Sequence, residues 1–183
     1  MSRLHIPERE ALSAEQRQAL DEIVAGRRGR AGGPLLVWLK SPELARRAQR
    51  LGEFARYETS FPPRLSELAI LVTARFWTAQ YEWYAHKKEA LKGGLDPAVI
   101  DAIAARRRPE FKNDDERVVY DVATALHETH GVPDDLYRNA VNAFGEQAMV
   151  ELVGLLGYYS LVSMTLNAFE VGLPEGETPE LAP

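Results

Sequence analysis

The chain has 183 residues, of which 45% are hydrophobic and 27% are charged, and this composition predicts one globular domain over residues 1–183. A net charge of −5, from 22 Lys and Arg residues against 27 Asp and Glu residues, argues against nucleic acid as a partner. The absence of cysteine excludes disulfides, thiolate metal ligands and thiol chemistry.

Hydropathy predicts a soluble protein. The first residues lack the apolar core of a signal peptide. The apolar stretch 150–162 is interrupted by Glu151, Gly154 and Gly157, which argues against a membrane span. We therefore expect a cytoplasmic protein without a membrane partner.

Helical periodicity runs through the whole chain, and strand alternation appears nowhere over a convincing length, so the predicted fold is an all-α, single-domain helical bundle of about seven to nine helices. The first helix begins with a capping box of Ser13 and Gln16 and ends at Gly26. Its apolar stripe consists of Leu20, Ile23 and Val24. Residues 32–34, Gly-Gly-Pro, are predicted to form a flexible link.

The second predicted helix begins at Ser41 and Pro42, and its apolar positions with period 3.6 are Leu44, Ala48, Leu51 and Phe54. The two prolines in residues 60–63 force the chain to restart. Helical character then continues from Arg64 to Leu91 and ends at a Gly-Gly pair.

Later boundaries follow from caps and prolines. Helices are predicted to start at Asp96, at Asn113 and at Pro133, and a last long helix is predicted to run to about Glu170. The Pro- and Glu-rich segment 173–183 is predicted to be a flexible tail.

A faint internal repeat is also present. An offset of 84 residues places Glu67 on Glu151, and an offset of 83 places His86 on Phe169. This pattern indicates a possible pseudo-repeat of two helical hairpins, while chance similarity between helical segments explains it equally well.

Glu82 and His86 are the first candidates for chemistry. They lie four residues apart, so they share one face of a helix and their side chains can meet. A solvated ion pair beside Lys87 and Lys88 is the alternative interpretation.

Glu67 can join this pair only if the helix breaks. Nineteen residues separate Glu67 from His86, which on one straight helix means roughly 28 Å of rise and about 100° of rotation. A shared site therefore requires a break near residues 76–78, where Thr78 is the plausible N-cap.

The run from Glu67 to His86, with a Pro-Pro-Arg start and a Gly-Gly end, resembles the carboxymuconolactone decarboxylase family, which includes the alkylhydroperoxidase D proteins. The resemblance covers about residues 43–106. In the peroxidase branch, a Glu is followed twelve residues later by a Cys-x-x-Cys pair and then by a His. Glu67 and His86 match that Glu and that His, whereas Ala79 and Glu82 stand at the two Cys positions.

This substitution removes the peroxidase chemistry, which needs a thiolate and a resolving thiol. A carboxylate and imidazole site suits general acid and base catalysis instead. The resemblance implies that His86 is the proton donor and Glu67 its orienting partner. Glu82 is expected to raise the pKa of the imidazole. No cofactor is expected.

Neighbouring side chains complete the predicted site. Arg64 and Arg75 are candidates to hold a substrate carboxylate, although a surface or subunit salt bridge explains each of them as well. Trp77, Tyr81 and Trp83 are candidate apolar walls, with plain core packing as the alternative.

His127 and His130 have a spacing that could bind a metal, but no third ligand is evident, and both sit at a predicted helix C-terminus. We therefore predict no metal site.

Two functions remain open from the sequence. The first is a cofactor-free lyase or isomerase that acts on a small carboxylated lactone or another aromatic-degradation intermediate. The second is a catalytically silent family member that binds a small molecule or a protein as a helical oligomer. Both fit self-association, because residues 150–162 carry more apolar positions than one core face needs. The family resemblance implies trimers or hexamers.

Overall fold

The computed structural model describes residues 2–183, and these contain one 3-10 turn at Arg9–Ala11, eight α-helices and no strand. The predicted all-α class is confirmed. The helices are α1 (Ala14–Ala25), α2 (Pro34–Trp38), α3 (Pro42–Tyr57), α4 (Pro63–Phe76), α5 (Gln80–Lys92), α6 (Pro97–Ala104), α7 (Asp114–Thr129) and α8 (Asp134–Ala168).

Helix α4 is the centre of the bundle. It packs against α5, α6, α7 and α8, and every residue from Leu65 to Arg75 is buried. A helix that is apolar around most of its circumference is stable only when other helices surround it. The single carboxylate on α4, Glu67, is therefore held deep inside the protein.

The predicted break between α4 and α5 is present. Helix α4 ends at Phe76, α5 begins at Gln80, and Thr78 between them has a left-handed φ of 49°. The predicted N-cap is wrong by one residue, because Ala79 is the N-cap of α5 and contributes no side-chain hydrogen bond. The Thr78 hydroxyl instead accepts hydrogen bonds from two arginines.

Helix α8 combines the last two predicted helices and is kinked at Gly145, where φ is 84°. By length and composition alone, its 35 residues could cross a membrane. However, 61% of its most apolar window is buried inside the protein, as expected for the core helix of a soluble protein.

Residues 32–34 do more than link two helices. Pro34 opens the short helix α2, whose Leu35, Val37 and Trp38 enter the core. Gly33 has a φ of 53°, and a Cβ at this position would lie 2.6 Å from the ring of Tyr81. Only glycine satisfies both the backbone conformation and this close approach.

The predicted apolar stripe of α3 is mostly wrong. Leu44, Leu51 and Phe54 are 42%, 46% and 38% exposed, and only Ala48 of the predicted set is buried. Apart from Gln49, the buried face consists of alanine and glycine, which lets α3 approach α8 closely. A Cβ at Gly52 would lie only 2.1 Å from the Tyr158 hydroxyl of α8. Val24, predicted in the stripe of α1, is likewise 43% exposed.

The C-terminal segment, predicted to be a flexible tail over 173–183, contacts α5 near its end. Leu181 is 4% exposed, and its carbonyl accepts a hydrogen bond of 2.7 Å from the Gln80 side chain. Glu180 forms an ion pair with Lys87. Local composition does not predict these contacts between the C-terminal segment and α5.

The two halves of the possible pseudo-repeat differ in the structure. An offset of 84 residues aligns α4 with residues 147–160 of α8. Helix α8 continues through the position that corresponds to the break after Phe76. Of the two halves of the repeat, the first alone forms a hairpin, made of α4 and α5.

Candidate active site

His86 lies between two carboxylates. Its Nδ1 is 2.6 Å from Glu67 Oε2, and its Nε2 is 2.9 Å from Glu82 Oε1. All three residues are buried, with exposed fractions of 4% to 5%. The structure therefore rules out a solvated surface pair of Glu82 and His86.

Two local features bring these side chains together. Glu82 and His86 lie one turn apart on α5, so their side chains meet on one face of the helix. The break after Phe76 turns α5 back against α4, which places Glu67 on the opposite side of the imidazole.

The two carboxylates keep the imidazole charged. Burial alone would lower the pKa of His86, but the charges of Glu67 and Glu82, together with their hydrogen bonds, raise it from 6.5 to about 9. His86 is thus an imidazolium at neutral pH, with Nδ1 hydrogen-bonded to Glu67 and Nε2 in an ion pair with Glu82.

The second ring nitrogen of His86 also has a partner. Nε2 contacts Glu82, which lines the adjoining cavity together with His86.

A cavity of about 280 Å³ adjoins the triad. Glu82 and His86 line it, whereas Glu67 lies behind the imidazole ring. The sequence predicted Tyr81 as part of the cavity wall. The remaining lining residues were not predicted, and they are Arg28, Arg30, Ala31, Gly32, Pro34, Leu35, Arg56, Ala85, Tyr158, Tyr159 and Val162.

Two buried donors at this cavity lack a partner among residues 2–183. They are the hydroxyl of Tyr159 and the Nε of Arg28. The Tyr159 ring packs edge-on against the His86 ring, with the ring centres 5.0 Å apart. Burial is the largest of the effects that raise the pKa of Tyr159 well above 10, so the phenol keeps its proton. Unpaired buried donors are costly and favour a ligand that accepts hydrogen bonds.

The two arginines predicted to hold substrate lie elsewhere. Arg64 forms ion pairs with Asp115 and Glu116 of α7. Arg75 is bonded to Thr78 and to the carbonyl of Ala182. Neither arginine lines the cavity beside His86. Arg64 forms a salt bridge, which is the alternative interpretation given for it above.

The two tryptophans also lie outside this cavity. Trp83 is 1% exposed in the core, with its indole nitrogen 3.4 Å from Glu180. Trp77 caps α4, and its carbonyl accepts a hydrogen bond from Asn167. Trp83 is therefore a core residue, which is the alternative interpretation given for both tryptophans. Trp77 is only half-buried.

The two remaining candidate ligands are separate from the triad. His127 lies 2.9 Å from the Thr73 hydroxyl, and His130 is an exposed left-handed C-cap of α7. Within residues 2–183, no group of three or more His, Asp or Glu side chains could hold a metal ion.

Weak signals for the missed residues exist in the sequence. Arg28 and Arg30 belong to a basic loop just before the Gly-Gly-Pro segment, and Tyr158 and Tyr159 are adjacent on an apolar helix. Neither pattern indicates a site without knowledge of how α1, α3 and α8 pack against α5.

One region of the chain matches a known protein family. Residues 42–125 match the sequence model of the carboxymuconolactone decarboxylase family. The predicted resemblance is confirmed. The matched region begins one residue before the predicted 43–106 and extends to include most of α7. A search of curated proteins found no match.

Solved structures with a similar fold support the all-α architecture. An uncharacterized peroxidase-related protein with an alkylhydroperoxidase AhpD core, from Ralstonia eutropha JMP134, has 16% identity and a TM-score of 0.76, with 97% of each chain covered. An uncharacterized peroxidase-related protein from Silicibacter sp. TM1040 has 14% identity and a TM-score of 0.75, covering 95% of this chain and 92% of the other.

A third structure is shorter. The putative antioxidant defence protein AhpD from Agrobacterium tumefaciens has 18% identity and a TM-score of 0.67, covering 75% of this chain and 95% of the other. At these identities the likeness concerns the fold alone.

Proposed function

We propose that this protein is a cofactor-free lyase or isomerase that acts on a small carboxylated lactone or a related aromatic-degradation intermediate. One observation supports this proposal above the others: the cavity combines a buried acid–base triad with cationic side chains. Glu82 and His86 form one part of its wall, and Arg28, Arg30 and Arg56 contribute the charge.

The arginines fit a substrate that carries a carboxylate. Arg28 is half-buried, its Nε has no partner, and its Nη2 lies 3.5 Å from the Tyr158 hydroxyl. Arg56 is half-buried, and its closest carboxylate is that of Glu89, at 4.0 Å. Guanidinium groups with free donors form strong, oriented hydrogen bonds to carboxylates.

The triad fits the proton transfer that such a reaction needs. In a decarboxylation, the bond between the substrate carbon and its carboxylate breaks, carbon dioxide leaves, and the remaining electron pair takes a proton. His86 holds this proton as an imidazolium, and the Glu82 carboxylate, 2.9 Å from Nε2, can take it up and pass it to the substrate carbon. The neutral imidazole that remains then takes a proton from water. Glu67 holds the other side of the ring and fixes its orientation.

Release of carbon dioxide from 4-carboxymuconolactone tests the proposal. We expect Arg28→Gln to raise KM about tenfold or more, with a smaller effect on kcat, because it removes a charged contact to the substrate. Arg27→Gln is the matched control, since the Arg27 side chain contacts the carbonyl and ring of Tyr57 instead of the cavity. No release by the wild type, or equal effects of the two variants, would contradict the proposal.

The binding-module alternative has one specific observation in its favour. Both ring nitrogens of His86 are already occupied by carboxylates, so the imidazole has no free position for substrate. Saturable binding of the lactone in calorimetry, without release of carbon dioxide, would favour this alternative. Turnover of the bound lactone would exclude it.

Thiol-dependent peroxidase activity is not expected. The chain has no cysteine, and the position of the second thiol in the peroxidase branch holds Glu82. Given an organic hydroperoxide and a thioredoxin or lipoyl reducing system, the purified protein should consume no reductant above the blank. Sustained, enzyme-dependent consumption would contradict this prediction.

We also propose that the protein self-associates, as a trimer or a hexamer. Val150, Val153 and Met164 are 72%, 47% and 44% exposed on one face of α8, beside the exposed Gly154 and Gly157. Apolar side chains next to glycines allow close helix packing. In sedimentation velocity, Val153→Glu should shift the species toward the monomer. A wild-type monomer at tens of micromolar would contradict the proposal.

A further inference from the structure

A second cavity lies on the other side of α4. Its volume is about 160 Å³, and none of its lining residues is shared with the cavity beside His86. Arg75, Arg106 and Arg107 line it, together with an apolar wall that includes Val72, Phe76 and Ile103.

The three arginines at this cavity form no ion pairs with carboxylates among residues 2–183. Arg75 is 5% exposed, and its guanidinium donates to the Thr78 hydroxyl at 3.0 Å and to the Ala182 carbonyl at 2.8 Å. Its Nε has no hydrogen-bond partner among residues 2–183. In the part of the chain that the structure describes, no carboxylate forms an ion pair with any of the three arginines, although Glu128 lies at the cavity rim.

Arg75 and Arg106 converge although they repel each other. Arg106 Nη2 donates at 3.1 Å to the same Thr78 hydroxyl that Arg75 contacts. Burial and the charge of Arg106 lower the pKa of Arg75. Like charges held together around one neutral hydroxyl favour an anion between them.

The backbone at Arg106 supports the same interpretation. Arg106 follows α6 with a left-handed φ of 54°, a conformation that glycine adopts at helix ends without strain. An arginine here carries that strain, and its guanidinium reaches Thr78. Strain of this kind often accompanies a functional position.

His127 contributes a neutral ring to the cavity. The Thr73 hydroxyl donates to the Ala69 carbonyl, so it must accept its second hydrogen bond from His127 Nε2–H. Burial lowers the pKa of His127, and its ring stacks on Phe76 with 4.7 Å between ring centres. The stacked rings extend the apolar wall.

We propose that this second cavity binds a small organic carboxylate, with the carboxylate on the guanidinium groups and the apolar part against Val72, Phe76 and Ile103. The apolar wall favours an organic carboxylate over a free inorganic oxyanion, because an inorganic ion would leave this wall without contact. The site is independent of the triad and of the function proposed for it.

The four histidines of the chain allow each site to be observed separately. In ¹H–¹³C spectra of the imidazole groups, His127 reports on the second cavity and His86 on the first. Titration with benzoate is expected to shift the His127 signal with saturation. Benzyl alcohol and inorganic phosphate should bind more weakly. An unmoved His127 signal, or phosphate binding as tight as that of benzoate, would overturn the proposal.

Three variants separate binding from folding. Arg107→Gln should weaken benzoate binding at His127 about tenfold, because it removes one charged contact. Arg106→Gly should weaken it similarly while the Tm stays equal or rises, since glycine relieves the left-handed strain. Arg108→Gln is the matched control, because Arg108 pairs with Asp121 outside the cavity. Unchanged affinity in Arg106→Gly and Arg107→Gln would overturn the proposal.

Discussion

Replacement of His86 by Gln is expected to lower the release of carbon dioxide from 4-carboxymuconolactone by at least about 10²-fold, with the fold retained. A positioned acid or base contributes about 10²- to 10⁴-fold to a rate, and Gln can form hydrogen bonds but cannot carry the proton. His86 is the single group between Glu67 and Glu82, so its loss interrupts the path by which Glu82 is resupplied.

The control for this experiment is His5→Gln, which changes an exposed histidine near the N-terminus. Its kcat should equal that of the wild type. Circular dichroism and the Tm show whether His86→Gln has folded. A folded His86→Gln protein with wild-type kcat would show that the triad is not the acid–base site.

Replacement of Glu67 by Gln is expected to remove most of the pH dependence of stability between about pH 6.5 and 9. The pKa of His86 is raised in the folded protein, so its contribution is complete below the unfolded pKa of 6.5 and is lost as the pH rises through about 9. At about 1.4 kcal/mol per pKa unit, this contribution is about 3 kcal/mol.

Glu67 contributes more to the raised pKa of His86 than Glu82 does. Arg56 and Tyr159 also lie near the triad, but the phenol keeps its proton through this pH range. Urea unfolding at about pH 6 and at about pH 9.5 measures the difference for the wild type and the variant. Glu110→Gln, at an exposed position, should behave as the wild type. Equal pH dependence in Glu67→Gln would contradict the prediction.

The helical class and the core of the triad were predictable because they depend on local rules. The spacing of Glu82 and His86 places them on one helix face whatever the tertiary fold. Glu67 was predictable only through the family resemblance, since spacing alone placed it roughly 28 Å away along a straight helix.

The arginines predicted to face the substrate do not line the cavity beside His86. A position close to Glu67 in the sequence does not determine the direction in which a side chain points. Arg64 and Arg75 lie on the same helix as Glu67 but point to α7 and to the C-terminal segment. Consecutive residues of a helix point about 100° apart, so Trp83 faces away from the cavity although it follows Glu82.

The rest of the cavity depends on long-range packing. Arg28 comes from the loop after α1, and Tyr159 comes from α8. Arg28 and Tyr158, the neighbour of Tyr159, come together over Gly52, where a Cβ would lie 2.6 Å from Arg28 Nη2 and 2.1 Å from the Tyr158 hydroxyl. No local pattern encodes a contact between segments that are 130 residues apart, such as that of Arg28 with Tyr158.

The central claim is that His86 is an imidazolium held between two buried carboxylates, ready to pass a proton toward the cavity through Glu82. A pH titration of the His86 imidazole signals by NMR tests this claim most directly. The structure predicts a pKa of about 9, with both ring nitrogens protonated at neutral pH. A His86 that titrates at or below the ordinary value of about 6.5 would contradict it.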